Sequence, residues 1–325
     1  MLTRLGFAVA GAALAACLVG CGNVGEDRVL SIMATGSIEG VVYFDQNGSG
    51  QLDGSEVGLA DIGIRVIALG TRDTVARPVT ASDGSFATAQ LPVGRYRVSF
   101  APGAIGDSVV VTQFEDSVAL LAPGGMALVT VGVGFPSLTI AGARAQVPGK
   151  RFFVEGVALT ALDVFGDTTT HVADGTGAIR AVRVRRTVVQ QAGDSVRLQG
   201  TVASRAGQPV LDDVTVIVLD INRLIPPAEL VSTGVAASAD GGRLDAALAQ
   251  VRNVAIADTA TGATGFALTL DDGSGALTVL LDADIVFDLT GLDPGASIDA
   301  TGVLVPDGGG TWRLKPRGNG DLVRR

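Results

Sequence analysis

The sequence predicts an all-β protein of three folded units, a β-sandwich followed by two five-stranded barrels, and three observations carry that expectation. Valine, alanine and threonine dominate a chain with only 4% aromatics and 45 glycines, and turn signals recur every ten or so residues, the composition of short strands. At 325 residues the chain exceeds what a single core usually fills. Finally, its later part repeats itself. Asp174-Gly175-Thr176-Gly177-Ala178 returns as Asp272-Gly273-Ser274-Gly275-Ala276, 98 residues on. Gly193-Asp194-Ser195-Val196 with Gly200-Thr201-Val202 returns as Gly295-Ala296-Ser297-Ile298 with Gly302-Val303-Leu304, 102 residues on.

The N-terminus predicts export. Arg4 precedes an apolar run over residues 5–16, too short to span a bilayer, and small residues then lead to Leu18-Val19-Gly20-Cys21. That tetrapeptide resembles the bacterial lipobox. The resemblance implies a signal peptide over residues 1–20, cleavage before Cys21, and a lipid on the Cys21 thiol that anchors the chain to a membrane. Gly22 is not the Asp that would resemble an inner-membrane retention signal, so the resemblance implies the outer membrane or cell surface. Residues 21–36 read as a tether without periodicity.

Cysteine and histidine usage narrows the chemistry. Cys17 leaves with the signal and Cys21 is committed to lipid, so no thiol remains for a disulfide, a metal cluster or a nucleophile. The one histidine, His171, lies in a strand-like run and is expected to be half-buried. Zinc, thiol and histidine catalysis are therefore excluded, and the chain reads as a non-enzyme.

Residues 37–135 form the first unit. Ser37-Ile38-Glu39-Gly40-Val41-Val42-Tyr43-Phe44 is strand-like, and further β-type runs cover 62–69, 85–89, 95–101 and 127–133. Between the first two lies the strongest chemical signal in the chain, over residues 45–56. Calcium takes six to eight hard oxygens. Asp45, Asn47 and Ser49 supply positions 1, 3 and 5 of a twelve-residue loop, and Gln51 offers its carbonyl at 7. Asp53 stands at 9 and Glu56 at 12, while Gly50 allows the sharp turn. The flanks are strands, so this is no EF-hand.

The pattern Asp45-x-Asn47-x-x-Gly50-x-x-Asp53-x-x-Glu56, then Gly58-Leu59, then Asp83-Gly84-Ser85-Phe86 and Leu91-Pro92-Val93-Gly94-Arg95-Tyr96, resembles the SdrD-type B domain of bacterial surface adhesins. The resemblance implies a prealbumin-like sandwich with structural calcium and a role in adhesion. It covers residues 37–102 closely and fades by Phe135.

The repeated units span 141–223 and 226–325, with Pro226-Pro227 as the expected linker. Each reads as three strands, a variable connection and two more strands, the order of the OB barrel. In the second copy the connection, residues 283–289, is expected to form a short helix. Both copies look like the OB-type modules of exported bacterial proteins, with an "xDGTGA" hairpin and a "GD-x-V-x-x-x-G" fourth strand. Charge divides unevenly: residues 36–135 carry net −5, residues 141–223 net +2 and residues 224–325 net −6. Only the middle unit favours phosphate, through Arg180, Arg183, Arg185 and Arg186. Phe152, Phe153 and Phe165 in the first copy, and Phe266, Phe287 and Trp312 in the second, are the aromatics available for stacking. The acidic residues Asp271, Asp272, Asp282, Asp284 and Asp288 match no metal-loop spacing and are expected in solvated turns and helix caps.

These features predict a lipid-anchored, exported binding or scaffold protein with structural calcium and a protein or glycan partner. Two alternatives stand beside it. One is an extracellular binder of single-stranded nucleic acid through the first barrel; the other is an accessory subunit of a secreted hydrolase.

Overall fold

The computed structural model describes residues 34–325 apart from Glu115 and Leu121; the signal segment, Cys21 and most of the tether lie outside the described residues. The described chain is almost entirely β, as composition predicts.

The first unit holds β1 (Thr35–Asp45), β2 (Val57–Gly58), β3 (Ile64–Ala68), β4 (Thr74–Ala76), β5 (Ser85–Ala87), β6 (Leu91–Pro92), β7 (Gly94–Phe100), β8 (Val110–Gln113), β9 (Ser117–Leu120) and β10 (Met126–Gly134). They form two sheets. One runs β2-β1-β10-β8 with β5 and β6 also on β1, and the other runs β4-β3-β7-β9. β1 and β10 lie parallel in unbroken register from Ser37 opposite Met126 to Asp45 opposite Gly134. Ile38, Val42, Phe86, Val129 and Val131 from one sheet meet Ile64, Val66, Tyr96, Val98 and Leu120 from the other, giving an apolar layer between them.

After β10 the chain passes without a spacer through β11 (Ser137–Leu138) and α1 (Ile140–Arg144) into the first barrel. That barrel comprises β12 (Arg151–Ala158), β13 (Thr170–Asp174), β14 (Gly177–Val182), β15 (Ser195–Arg205) and β16 (Gln208–Asp220). β17 (Glu229–Leu230) and α2 (Thr233–Ser238) lead to the second, made of β18 (Leu248–Gly262), β19 (Gly265–Asp271), β20 (Leu277–Asp282), β21 (Ser297–Pro306) and β22 (Trp312–Lys315). β23 (Leu322–Arg324) adds to β21 at the end. Both barrels use one pairing scheme. The first strand pairs antiparallel with the second and fourth, the second with the third, the fourth with the fifth, and the third closes on the fifth in parallel. This is an OB-type barrel, twice.

The repeated Asp-Gly hairpins hold the two short helices. In the first barrel Asp174 Oδ2 accepts from the Ile140 amide at 2.8 Å, and Thr176 Oγ1 accepts from the Ala141 amide at 3.0 Å. In the second, Asp272 accepts from the amide and hydroxyl of Thr233, and Ser274 Oγ accepts from the Gly234 amide. These bonds, first among them those from Ser274 and Thr233, bring the Asp272 carboxyl down to about 2. Helix starts leave amides without intrahelical partners, and the hairpins supply the acceptors.

Three expectations need correction. Residues 283–289 form turns and irregular backbone with no helix, because Asp282 Oδ1 takes up the Asp284 amide and starts a turn instead. Asp282 itself is not solvated: it is 8% exposed and bonds Lys315 Nζ at 2.7 Å. The barrels are also not beads on a Pro226-Pro227 linker but share a buried contact. Leu159, Phe165, Ala173 and Ala178 of the first pack with Ala246, Leu248 and Val303 of the second. Arg144 pairs with the buried Asp245 at 3.1 Å, Arg317 Nη1 donates to the Leu159 carbonyl at 3.1 Å, and Lys315 Nζ lies 3.9 Å from the Phe165 ring centre.

Candidate metal-binding loop and the barrel faces

The loop over residues 45–56 leaves the end of β1 and returns at β2, so two paired strands fix its ends. Gly48 and Gly50 both take φ +69°, the left-handed conformation that folds the loop back on itself. Asp45 is fully buried. Its two oxygens accept from the Ser49 amide at 3.0 Å and the Gly50 amide at 2.9 Å. Asn47 Oδ1 also accepts from the Ser49 amide, at 2.8 Å, and Asn47 Nδ2 donates to Asp53 Oδ2 at 2.7 Å. Ser49 Oγ donates to the Gln51 carbonyl at 3.1 Å. Glu56 closes the ring, its oxygens accepting from the amides of Gln46 at 3.0 Å and Asp53 at 3.3 Å.

All six sequence-predicted positions are thus brought into one hydrogen-bonded ring. Among the described residues no trio of carboxylate, imidazole or thiol groups forms a ready metal centre by itself. Asn47, Ser49 and the Gln51 carbonyl are neutral oxygens of the kinds calcium takes beside carboxylates.

The electrostatics fit a divalent cation. No ion pair among the described residues involves Asp45, Asp53 or Glu56. The Tyr43 hydroxyl is pushed up to about 12, by burial first and then by Asp45, Glu56 and Asp53. Partial burial raises the Glu56 carboxyl, and Asp45 and Asp53 raise it further. Asp53 is held below its ordinary value by bonds from Ser55. A buried carboxylate without a cation is costly unless hydrogen bonds or a metal compensate it.

The loop also touches the first barrel. Arg197 Nη1 donates to the Asn47 carbonyl at 3.0 Å and Gln199 Nε2 to the Gln46 carbonyl at 3.3 Å. The Phe44 and Phe135 rings meet edge to face at 5.5 Å, and the Arg151 guanidinium lies 5.6 Å from the Phe135 ring centre.

The barrels were the candidate nucleic-acid surfaces, and their ligand faces are specific. OB barrels bind oligonucleotides and oligosaccharides across the second and third strands and the adjoining loop from the first strand. In the first barrel those are β13, β14 and the loop over 159–169. Ala173, Ala178, Leu159 and Phe165 on them are buried in the contact with the second barrel. Its arginines are paired as well: Arg183 and Arg205 with Asp212, Arg185 and Arg151 with Asp213, Arg186 with Asp163, and Arg197 with Glu155. Arg180 is largely buried, and its guanidinium is lowered by that burial. Phe152, Phe153 and Phe165 are at most 4% exposed, Trp312 is 7% exposed, and Phe266 and Phe287 pack on the second core. The first barrel presents neither a stacking platform nor an uncompensated arginine stripe on this face. Replacing Arg183 and Arg185 by Glu is therefore expected to leave single-stranded DNA retention at 50 mM salt unchanged; a steep, salt-dependent loss would place a phosphate surface there.

His171 also departs from expectation. It is 1% exposed rather than half-buried, because the second barrel covers its strand, and desolvation keeps its imidazole far below the ordinary value. Its Nδ1 lies 3.5 Å from Thr160 Oγ1, and its Nε2 has no hydrogen-bond partner among the described residues.

No family model and no curated protein matches the chain. Among solved structures, the Bacillus anthracis TIE protein is 11% identical over 58% of this chain and 32% of that one, with a TM-score of 0.25. A murine DNA binding protein bound with double-stranded DNA is 10% identical over 53% of this chain and 97% of that one, at 0.27. A streptococcal ancillary pilin is 12% identical over 60% of this chain and 62% of that one, at 0.24. The chain spans about a third of the TIE protein's length. Scores this low assign no function.

Proposed function

We propose that the chain is an exported, non-enzymatic β scaffold, anchored by lipid on Cys21 at the outer membrane or cell surface, whose first domain holds a structural calcium ion. The observation that carries the reading is the loop over residues 45–56. It buries Asp45 completely, ties the Asp53 side chain to Asn47 and the Glu56 side chain to the backbone of Gln46 and Asp53, and pairs none of the three carboxylates with a cation among the described residues. Asp45, Asn47, Ser49, the Gln51 carbonyl, Asp53 and Glu56 would hold the ion. Bound calcium supplies the divalent charge that offsets three carboxylates and ties the ends of β1 and β2 together. The chain's own residues do the rest: backbone amides orient the carboxylates, and Gly48 and Gly50 set the turn.

A scaffold role accounts for the barrels better than strand binding does. The first barrel's ligand face is spent on the second barrel, and its arginines on aspartates and glutamate. The second barrel's corresponding strands expose Asp271 and Thr278 instead of bases or aromatics. The partner is then an envelope protein or glycan. Titration with calcium chloride should show one saturable site that Glu56→Gln removes, since an amide cannot replace the bidentate carboxylate at position 12. For the anchor, Cys21→Ser should abolish fatty-acid labelling, and unchanged membrane fractionation of that variant would contradict it.

A further inference from the structure

Two side chains of the first barrel grip a loop that belongs to another domain. Arg197 and Gln199 sit two residues apart on β15 and therefore project to one face. Their bonds fall on the carbonyls of Asn47 and Gln46, the third and second loop positions. Arg197 is itself held by Glu155, Nε to Oε1 at 2.8 Å, and its side chain is 18% exposed. At the fourth position Gly48 rests on the Phe153 ring, where a Cβ would come within 3.0 Å of the ring edge. A cleft of about 300 Å³ beside this contact is lined by Ser49, Gly50, Thr112, Phe135, Phe153 and Arg197. The grip uses carbonyls of the loop's entry, while the Gln51 carbonyl at position 7 stays free of it.

We propose that Arg197 and Gln199 are positioning residues for the calcium loop, so that ion binding and docking of the sandwich on the first barrel stabilise one another. The inference rests on the calcium reading above. A loop that is ordered before it binds loses less conformational entropy on binding, and fixing the Gln46 and Asn47 backbone fixes where the Asn47 side chain begins. Coupling of this kind is reciprocal: whatever docking adds to calcium affinity, calcium adds to docking.

Charge alone predicts the opposite sign. Arg197 is a cation close to a cation site, so removing it should tighten calcium if Coulomb repulsion were the main effect. The grip predicts weakening. Calcium chloride is titrated into the full chain and into Arg197→Met, which keeps the packed stem and loses the donors. The expected result is affinity weaker by about 5- to 20-fold, within the usual range of coupling between sites. Gln199→Ala changes no charge and should weaken binding in the same direction, which keeps the test open should Arg197→Met fold poorly. Saturating calcium should also slow amide exchange at residues 135–139, between the two units, in the wild type more than in Arg197→Met. Affinities of both variants within twofold of wild type, or tighter, overturn the coupling and leave the calcium reading intact. A wild-type chain that takes up no calcium removes both.

Discussion

Asp245→Ala should cost the joined barrels about 3–5 kcal/mol, the range found when one member of a buried ion pair is removed. Asp245 is 2% exposed and serves two partners from opposite sides. Arg144 reaches it at 3.1 Å and also donates to the carbonyls of Ala178 and Gly242. Trp312 Nε1 donates to its other oxygen at 2.9 Å. The Ala variant leaves the Arg144 charge without its counter-ion and the Trp312 indole N–H without its acceptor inside the contact. Asp245→Asn keeps an acceptor for Trp312 and loses only the charge, so it should fall between wild type and Ala. Trp312 is the single tryptophan, and its fluorescence through a urea titration reports the loss directly. A midpoint within error of wild type would mean that the barrels do not depend on this contact.

Acid should weaken the fold through His171. The imidazole is buried and its folded value lies well below the ordinary 6.5, mainly through desolvation, with Arg180 and Lys315 adding to it. Folded and unfolded chains therefore carry the same charge at this residue above pH 6.5. Below that, the unfolded state takes up a proton that the folded state refuses, and stability falls by up to about 1.4 kcal/mol per pH unit. His171→Leu removes the proton site. The difference in unfolding free energy between the two proteins, followed from pH 7.5 to 5, should drift toward the variant, by at most about 2 kcal/mol. Carboxylates titrate alike in both and cancel. Parallel profiles would show that the imidazole is not held neutral.

The parts of this molecule that sequence reading reached are those whose physics is local. The loop from Asp45 to Glu56 bonds within twelve consecutive residues, so its closure could be read off by spacing. The barrel order was legible because the Asp-Gly hairpins recur, although their work in holding α1 and α2 was not. Those helices have five and six residues, too short for a helical period to show; Thr139 and Ser232 as N-caps were the available signal. The contact between barrels was out of reach because it joins residues as distant as Arg144 and Asp245. It also explains why His171 and Asp282 were misjudged: each is buried by a neighbour that no local pattern announces. The same contact buries the face on which a nucleic-acid reading of the first barrel depended.

Calcium is expected to stabilise the sandwich, and calorimetry of the full chain in excess EDTA against millimolar calcium tests this directly. At the affinity usual for extracellular loops, about 0.1–1 mM, millimolar calcium adds roughly 0.4–1.4 kcal/mol. For a domain of this size that raises the sandwich's midpoint by about 2–10 °C, with a smaller movement in the barrel transition through the Arg197 contact. Glu56→Gln should melt in calcium as the wild type does in EDTA. Melting curves that superimpose from micromolar to ten-millimolar calcium would contradict the account and return residues 45–56 to an ordinary hydrogen-bonded loop.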